Sequence, residues 1–181
     1  MIKKLILAAV IALIAFSIYL YNYLGAYKNV AFAVQEAGPL YLLSQSHTGA
    51  YHLIGPKIAE VEKWAQSQGI PCRRTFGEYL DDPAGTDQDR LHSRGGCVLE
   101  QKPSVPLPEG FEFEERAKRH YVIATFEGSP AIGPFTVYPR AKEYLETQRL
   151  KSDGPVMEIY TINGDSVVTQ YHFPIAPPAG P

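Results

Sequence analysis

Between residues 41 and 175 the order of local signals repeats, and a repeat of this kind leaves few folds open. From Gly49 the chain reads as a turn. From Pro56 it reads as a helix, with Ile58, Val61, Trp64 and Ala65 at helical spacing and Glu60, Glu62 and Lys63 on other faces. Gly69 suits the stop. "CRRTFGEYL" then reads as a strand, "DDPAG" as a turn and "GGCVLEQ" as a second strand. The same succession returns. "RHYVIATFEGSP" is a strand and a glycine turn, and "FTVYPRAKEYLETQRL" is a helix with Tyr144 and Leu145 on its apolar side and Pro139 close to its start. "GPVMEIYT" is a strand, "NGDS" a turn and "VVTQYHFPI" the last strand. Gly49 to Trp64 and Gly128 to Tyr144 are almost equally spaced, and Gly49–Tyr79 and Gly128–Tyr160 agree within two residues. The expectation is an α+β domain built from a duplicated strand–helix–strand–strand unit with pseudo-two-fold symmetry. Its helices, near residues 56–68 and 135–149, should pack on one face of a shared sheet, with a cleft near the pseudo-axis.

Two short apolar runs in residues 29–46 read as strands ahead of the first turn. "KPSVPLPEGFEFEERA", rich in Pro and Glu, reads as a connecting segment, and "APPAGP" as a tail that cannot pack. Before all of this, no charge occurs between Lys4 and Lys28. Residues 5–24 would span about 30 Å as a helix, the thickness of a bilayer's hydrocarbon core. Tyr19, Tyr21 and Tyr23 cluster at its far end like an interfacial aromatic belt. A cleaved signal peptide would have a shorter apolar run followed by small residues, and "YLGA" puts Leu24 where a small residue belongs. The reading is therefore a single transmembrane anchor over residues 1–28, a domain over 29–176 and an unstructured tail over 177–181. Lys3 and Lys4 on one side against Lys28 on the other place the N-terminus in the cytoplasm and the domain outside it.

The formal net charge is −2, which gives no footing for a nucleic-acid partner. No Cys/His spacing suggests zinc, and no metal or cofactor is expected. Cys72 and Cys97 read as buried small apolar residues. If residues 72–80 and 95–101 pair antiparallel, the two are out of register, which speaks against a disulfide while leaving it open. His47 in "SHTGAY" reads as a turn-holding residue rather than a catalytic one. "GEYLDDPAGTDQD" has acidic spacing loosely like a calcium loop but lacks the required Gly and terminal Glu. No Ser/His/Asp order or phosphate loop is present.

Glu158 is the residue that the pattern does not explain. It sits within an apolar strand, where a carboxylate is costly unless something answers it. Strand alternation puts Val156, Glu158 and Tyr160 on one face. By the repeat, Tyr79 partners Tyr160, and Tyr51 follows the first glycine turn. Tyr171 and His172 lie on the closing strand, where alternation admits only one of them to the cleft. A carboxylate among aromatic rings suits a lipophilic cation. The candidate ligand-binding residues are therefore Glu158, Tyr160, Tyr51, Tyr79, Tyr171 and His172. The competing readings of Glu158 are an internal ion pair, with Arg73, Arg74 or Arg140, and an exposed edge position.

"SHTGAYHLIGPKIAEVEKWAQSQGI", "FGEYLDDP", "LHSRGGCVL", "ATFEGSP" and "VMEIYT…YHFPI" resemble, in order, the GyrI-like small-molecule-binding domain. This is also the effector-binding domain of AraC- and MerR-type regulators. The resemblance covers roughly residues 29–176. It implies the same duplicated α+β fold with a ligand cleft between the halves, and an acidic residue at the place of Glu158 that meets cationic, aromatic compounds. Nothing in the sequence resembles a DNA-binding helix-turn-helix, and the N-terminal anchor is unusual for the family's soluble members. The resulting expectation is a membrane-anchored, non-enzymatic protein that binds an apolar, cationic or aromatic small molecule. The resemblance also supports an alternative, a metal-independent hydrolase of electrophilic, cyclopropanoid-like compounds with Glu158 as general base. A third reading is a protein-interaction adaptor with a degenerate cleft.

Overall fold

The computed structural model describes residues 1–164 and 166–177. Helix α1, Ile2–Tyr23, carries Lys3 and Lys4 in its first turn and no charge after them, buries no residue against the rest of the chain, and is long and apolar enough to cross a membrane. Eight strands follow: β1 Ala31–Ala37, β2 Leu40–Thr48, β3 Arg74–Tyr79, β4 His92–Leu99, β5 Phe111–Arg116, β6 Arg119–Phe126, β7 Val156–Asn163 and β8 Ser166–Pro174. Two further helices interrupt them, α2 Gly55–Ser67 and α3 Gly133–Thr147, each preceded by a single 3-10 turn.

All eight strands form one antiparallel sheet in the order β1-β6-β8-β7-β3-β4-β2-β5. This order reads the same from either end when β2-α2-β3-β4 is exchanged for β6-α3-β7-β8, and the pseudo-axis passes between β3 and β7. The outer strands are swapped, since β1 pairs with β6 of the second half and β5 with β2 of the first. The segment expected as a connection thus contains a strand. Phe111–Glu112–Phe113–Glu114 alternates with the period of a strand, and its exposed edge position tolerates the glutamates.

Ala124, Tyr171, Glu158, Gly77 and Gly95 face one another in a cross-strand row. Ala124 and Tyr171 pack with Val137 and Ala141 of α3, and Gly95 lies directly beneath Ile58 of α2. Both helices therefore cover the same face. Each buries a Val and an Ala one turn apart, Val61 with Ala65 and Val137 with Ala141. Each also opens on a Gly-Pro dipeptide, whose proline needs no hydrogen-bond acceptor in the first turn. Pro139, expected near the start of α3, lies inside it; the helix begins earlier, at Gly133. The opposite face of the sheet carries Leu40, Leu42, Phe76, Val98, Met157 and Ile159.

Cys72 and Cys97 form a disulfide, with Cα atoms 5.5 Å apart, which corrects their reading as separate apolar residues. The register argument failed because β3 begins at Arg74. Cys72 lies in the incoming chain, beyond the ladder in which Thr75 faces Cys97. Of the expected tail, residues 178–181 lie outside the described residues.

Candidate functional site

The N-terminal ends of α2 and α3 meet the middle of the sheet from opposite sides, and between them a cleft of about 1220 Å³ opens over β3 and β7. Its walls are mostly apolar: Ile54, Ile58, Pro130, Pro134, Phe135 and Val156 contribute, with Tyr51, Tyr79, Tyr138 and Tyr160 toward the base. A large apolar concavity with a few convergent polar groups is the usual form of a small-molecule site.

Glu158 lies in this cleft with 4% of its surface exposed. Alternation along β7 turns it to the helix face together with Tyr160. Its two oxygens accept hydrogen bonds from the Tyr138 hydroxyl, at 2.8 Å, and from the Tyr160 hydroxyl, at 2.9 Å. Among the described residues no Lys or Arg is in ion-pair contact with it. Of the three arginines considered from sequence, Arg73 pairs with Glu100 at the surface, Arg140 is exposed on α3, and the charge of Arg74 acts on His172 across the opposite face of the sheet. Burial raises the Glu158 carboxyl from 4.5 to about 7, against the opposing effect of the two tyrosine donors.

A second buried carboxylate shows what an internal answer looks like. Glu78 adjoins Gly77, the cross-strand partner of Glu158, but faces the other side of the sheet. It is as buried as Glu158, and it is held by Arg94 at 2.6 Å and by Arg116 at 2.7 Å. Glu114 bonds the same two arginines. The fold thus neutralises Glu78 within the chain and leaves Glu158 with hydroxyl donors alone.

The tyrosines divide by role. The Tyr79 hydroxyl lies 3.2 Å from that of Tyr160, which extends the polar chain from Glu158 across the pseudo-axis. Burial, then the nearby Glu158 charge, raises the phenol of Tyr79 and also those of Tyr138 and Tyr160, so all three stay protonated donors. Gly77 makes room for this arrangement, because a Cβ there would stand 3.1 Å from the Tyr79 oxygen. Tyr51 spends its hydroxyl on the backbone of Asp81, donating to its carbonyl and accepting from its amide. Its ring packs on Tyr79 at 4.8 Å and offers the cleft a face rather than a donor.

Two sequence candidates stand elsewhere. His172 is on the opposite face of the sheet, edge-on to Tyr121, and is excluded from the cleft by the alternation that admits Tyr171 to the helix face. Burial, with the charges of Arg74 and Arg116, lowers its imidazole to about 4. Tyr171 does reach the helix face but is fully buried beneath Gly133 of α3, behind the cleft wall, with its ring against Tyr138. Tyr138 is the residue that sequence reasoning missed. Its i−4 neighbour Pro134 also lines the cleft, so the face was written in the helical period once the true start of α3 is known. His47 holds its turn, with Nε2 donating to the Ala50 carbonyl at 3.3 Å.

A family model described as a GyrI-like small molecule binding domain matches residues 32–176. The chain is similar to the crystal structure of the EcmrR C-terminal domain, with a TM-score of 0.64 and 14% identity over 82% of this chain and 98% of that one. It is also similar to EcmrR in the cryo-EM structure of its DNA complex, with a TM-score of 0.66 and 13% identity over 97% of this chain and 68% of that one. At such identities the likeness is one of fold. No curated protein matches the chain.

Proposed function

The chain belongs to the GyrI-like small-molecule-binding family, and from that premise we propose that it is a membrane-anchored receptor for a lipophilic cation. The observation that carries the reading is Glu158, a carboxylate at the base of an apolar cleft with no cationic partner among the described residues. A ligand with an aromatic or apolar body would occupy the walls, and its positive centre would meet Glu158. In a desolvated cleft that attraction is stronger than in water. The rings of Tyr51 and Tyr79, which line the cleft, would add cation–π attraction of about 0.5–2 kcal/mol each. Helix α1 would keep the receptor at a bilayer, where lipophilic cations concentrate.

The test is a thermal-shift and dye-displacement titration with aromatic quaternary ammonium and phosphonium cations, each beside a neutral isostere. The cations should raise the melting temperature and displace dye, and the isosteres should do so weakly. Glu158→Gln should lower cation affinity by roughly 10–150-fold, the equivalent of about 1.5–3 kcal/mol, with the isosteres unchanged. A wild-type melting curve that ignores the whole cation panel would sink the reading.

One observation favours a second reading. A carboxyl raised to about 7 by burial is poised for general acid–base work near neutral pH. Glu158 would then activate a water against an electrophilic ligand in the same cleft. Multiple turnover of such a compound by the wild type, lost in Glu158→Gln, would establish it; binding without turnover would dismiss it.

A further inference from the structure

Helix α1 is fastened to the lip of the cleft. Immediately after the helix, the Leu24 carbonyl accepts a hydrogen bond from the Ser129 amide at 2.8 Å. Gly25 abuts Gly128 closely enough that a Cβ on Gly25 would lie 3.1 Å from its Cα. Lys28 Nζ donates to the Glu127 carbonyl at 3.0 Å. No loose linker therefore separates the end of α1 from the turn at 127–129, and Pro130, the next residue, already lines the cleft. Phe135 is six residues from Ser129, so it lies at most about 21 Å from Ser129, itself bonded to Leu24, even if the chain between were fully extended.

The lip is mostly apolar, with His52 and Asp82 as its exposed polar residues. Phe135 is 83% exposed, Leu53 54% and Leu80 47%; Phe135 and Leu80 line the cleft, and Leu53 stands between two residues that do. Pro83, Pro130 and Pro134 complete much of the rim. Proline has no N–H, so these positions present no unsatisfied donor to an apolar surrounding. The lip's acids are turned back into the fold, Asp81 onto His92 and Asp82 onto the Ala84 amide.

Resting on the reading of α1 as a membrane anchor, we propose that the mouth of the cleft lies against the bilayer that holds α1. Phe135, Leu53 and Leu80 sit in the interface, and ligand passes between lipid and cleft without crossing bulk water. The occupant of the lip is the lipid surface itself. The ligand class narrows accordingly to amphiphiles that partition into membranes.

The chain's one tryptophan, Trp64, makes the test direct. It is half-buried on Phe111 and lies nine residues beyond Gly55, about 14 Å along α2 from the lip. The full chain is reconstituted in phosphatidylcholine vesicles whose acyl chains carry bromine near the headgroup. Emission from Trp64 in the wild type sets the baseline. Phe135→Trp, and separately Leu53→Trp on the other side of the mouth, add an emission of which roughly half or more should be quenched, since interfacial side chains reach the acyl boundary. A retained chain whose added emission is quenched no more than that of Trp64 overturns this proposal and leaves the anchor standing. Added emission that is shielded from aqueous iodide but not quenched by brominated lipid would mean that a second copy covers the lip, and also overturns it. A chain washed from the vesicles by alkaline carbonate overturns the anchor and this proposal together.

Discussion

Below pH about 7 the carboxyl of Glu158 keeps its proton, because burial penalises the anion more than the Tyr138 and Tyr160 hydroxyls favour it. In the unfolded chain the same group ionises near 4.5. As pH rises between these values the unfolded state sheds a proton that the folded state retains, so stability falls through this window. The whole effect is about 3 kcal/mol. The ligand-free domain should therefore melt at a lower temperature at pH 8 than at pH 5, and Glu158→Gln should remove that part of the dependence. Binding of a permanent cation should run the other way, climbing by up to about tenfold per pH unit until Glu158 is ionised. Each tyrosine donor holds the anion, so Tyr138→Phe or Tyr160→Phe should move the midpoint of the affinity curve to higher pH. At high pH, where Glu158 is ionised in the free and the bound domain alike, cation affinity should change little, because the hydroxyl bonds the carboxylate in both states. A midpoint measured by titration calorimetry that stays put in both variants would mean the hydroxyls do not hold the carboxylate.

The two Gly-Pro helix starts look alike in sequence and differ in what they meet. Gly55 faces open space, whereas a Cβ on Gly133 would lie 1.8 Å from the buried Tyr171 hydroxyl. Gly55→Ala should thus leave stability unchanged or raise it by up to about 1 kcal/mol, through the lower entropy of the unfolded chain. Gly133→Ala should cost about 1–3 kcal/mol, the usual range for overpacking, as α3 is lifted from β8. Tyr171→Phe deletes the colliding oxygen, which has no hydrogen-bond partner among the described residues. It should be near neutral alone and should recover part of the Gly133→Ala loss. Urea melts of the double-mutant cycle measure this coupling, and additive effects would contradict the close approach. This asymmetry is of the kind that the sequence hides. The duplicated order, both helices and the strand that carries Glu158 were legible, because apolar period and glycine turns are local signals. Tyr160 followed from alternation. Tyr138 did not, because placing it required the start of α3, and Pro139 drew that start too far along the chain. β5 was hidden by prolines and glutamates although Phe111 and Phe113 kept the strand period. His172 and Tyr171 were adjacent candidates between which only the register of β8 could choose.

Across the whole molecule, the disulfide and the proposed anchor bear on the same question, which side of a membrane the domain would occupy. Cys72 and Cys97 are 25 residues apart, and closing a loop of that length stabilises the fold by roughly 3.5 kcal/mol on the chain-entropy account. Such a bond persists on the oxidising side of a membrane and is kept reduced in the cytosol. If α1 spans a membrane, Lys3 and Lys4 in its first turn would favour a cytoplasmic N-terminus, and the domain would then lie on the opposite, oxidising side. The two arguments are independent, one resting on charge and the other on cysteine chemistry, and they point to one orientation. Cells lysed in acid and treated with a maleimide–polyethylene glycol reagent should show no mobility shift at Cys72 or Cys97 until a reductant is added. Protease added outside sealed cells or vesicles of native orientation should digest the domain. Both thiols labelled without reductant, together with a protected domain, would reverse the orientation. In that case the cysteines would meet cytosolic reductant, and the domain isolated from cells should melt several degrees lower than the oxidised form, since about 3 kcal/mol is a large share of a small domain's stability. Cys72→Ala would reproduce the lower melting temperature under either orientation. The labelling pattern in intact cells, rather than the stability of the purified domain, therefore decides the topology.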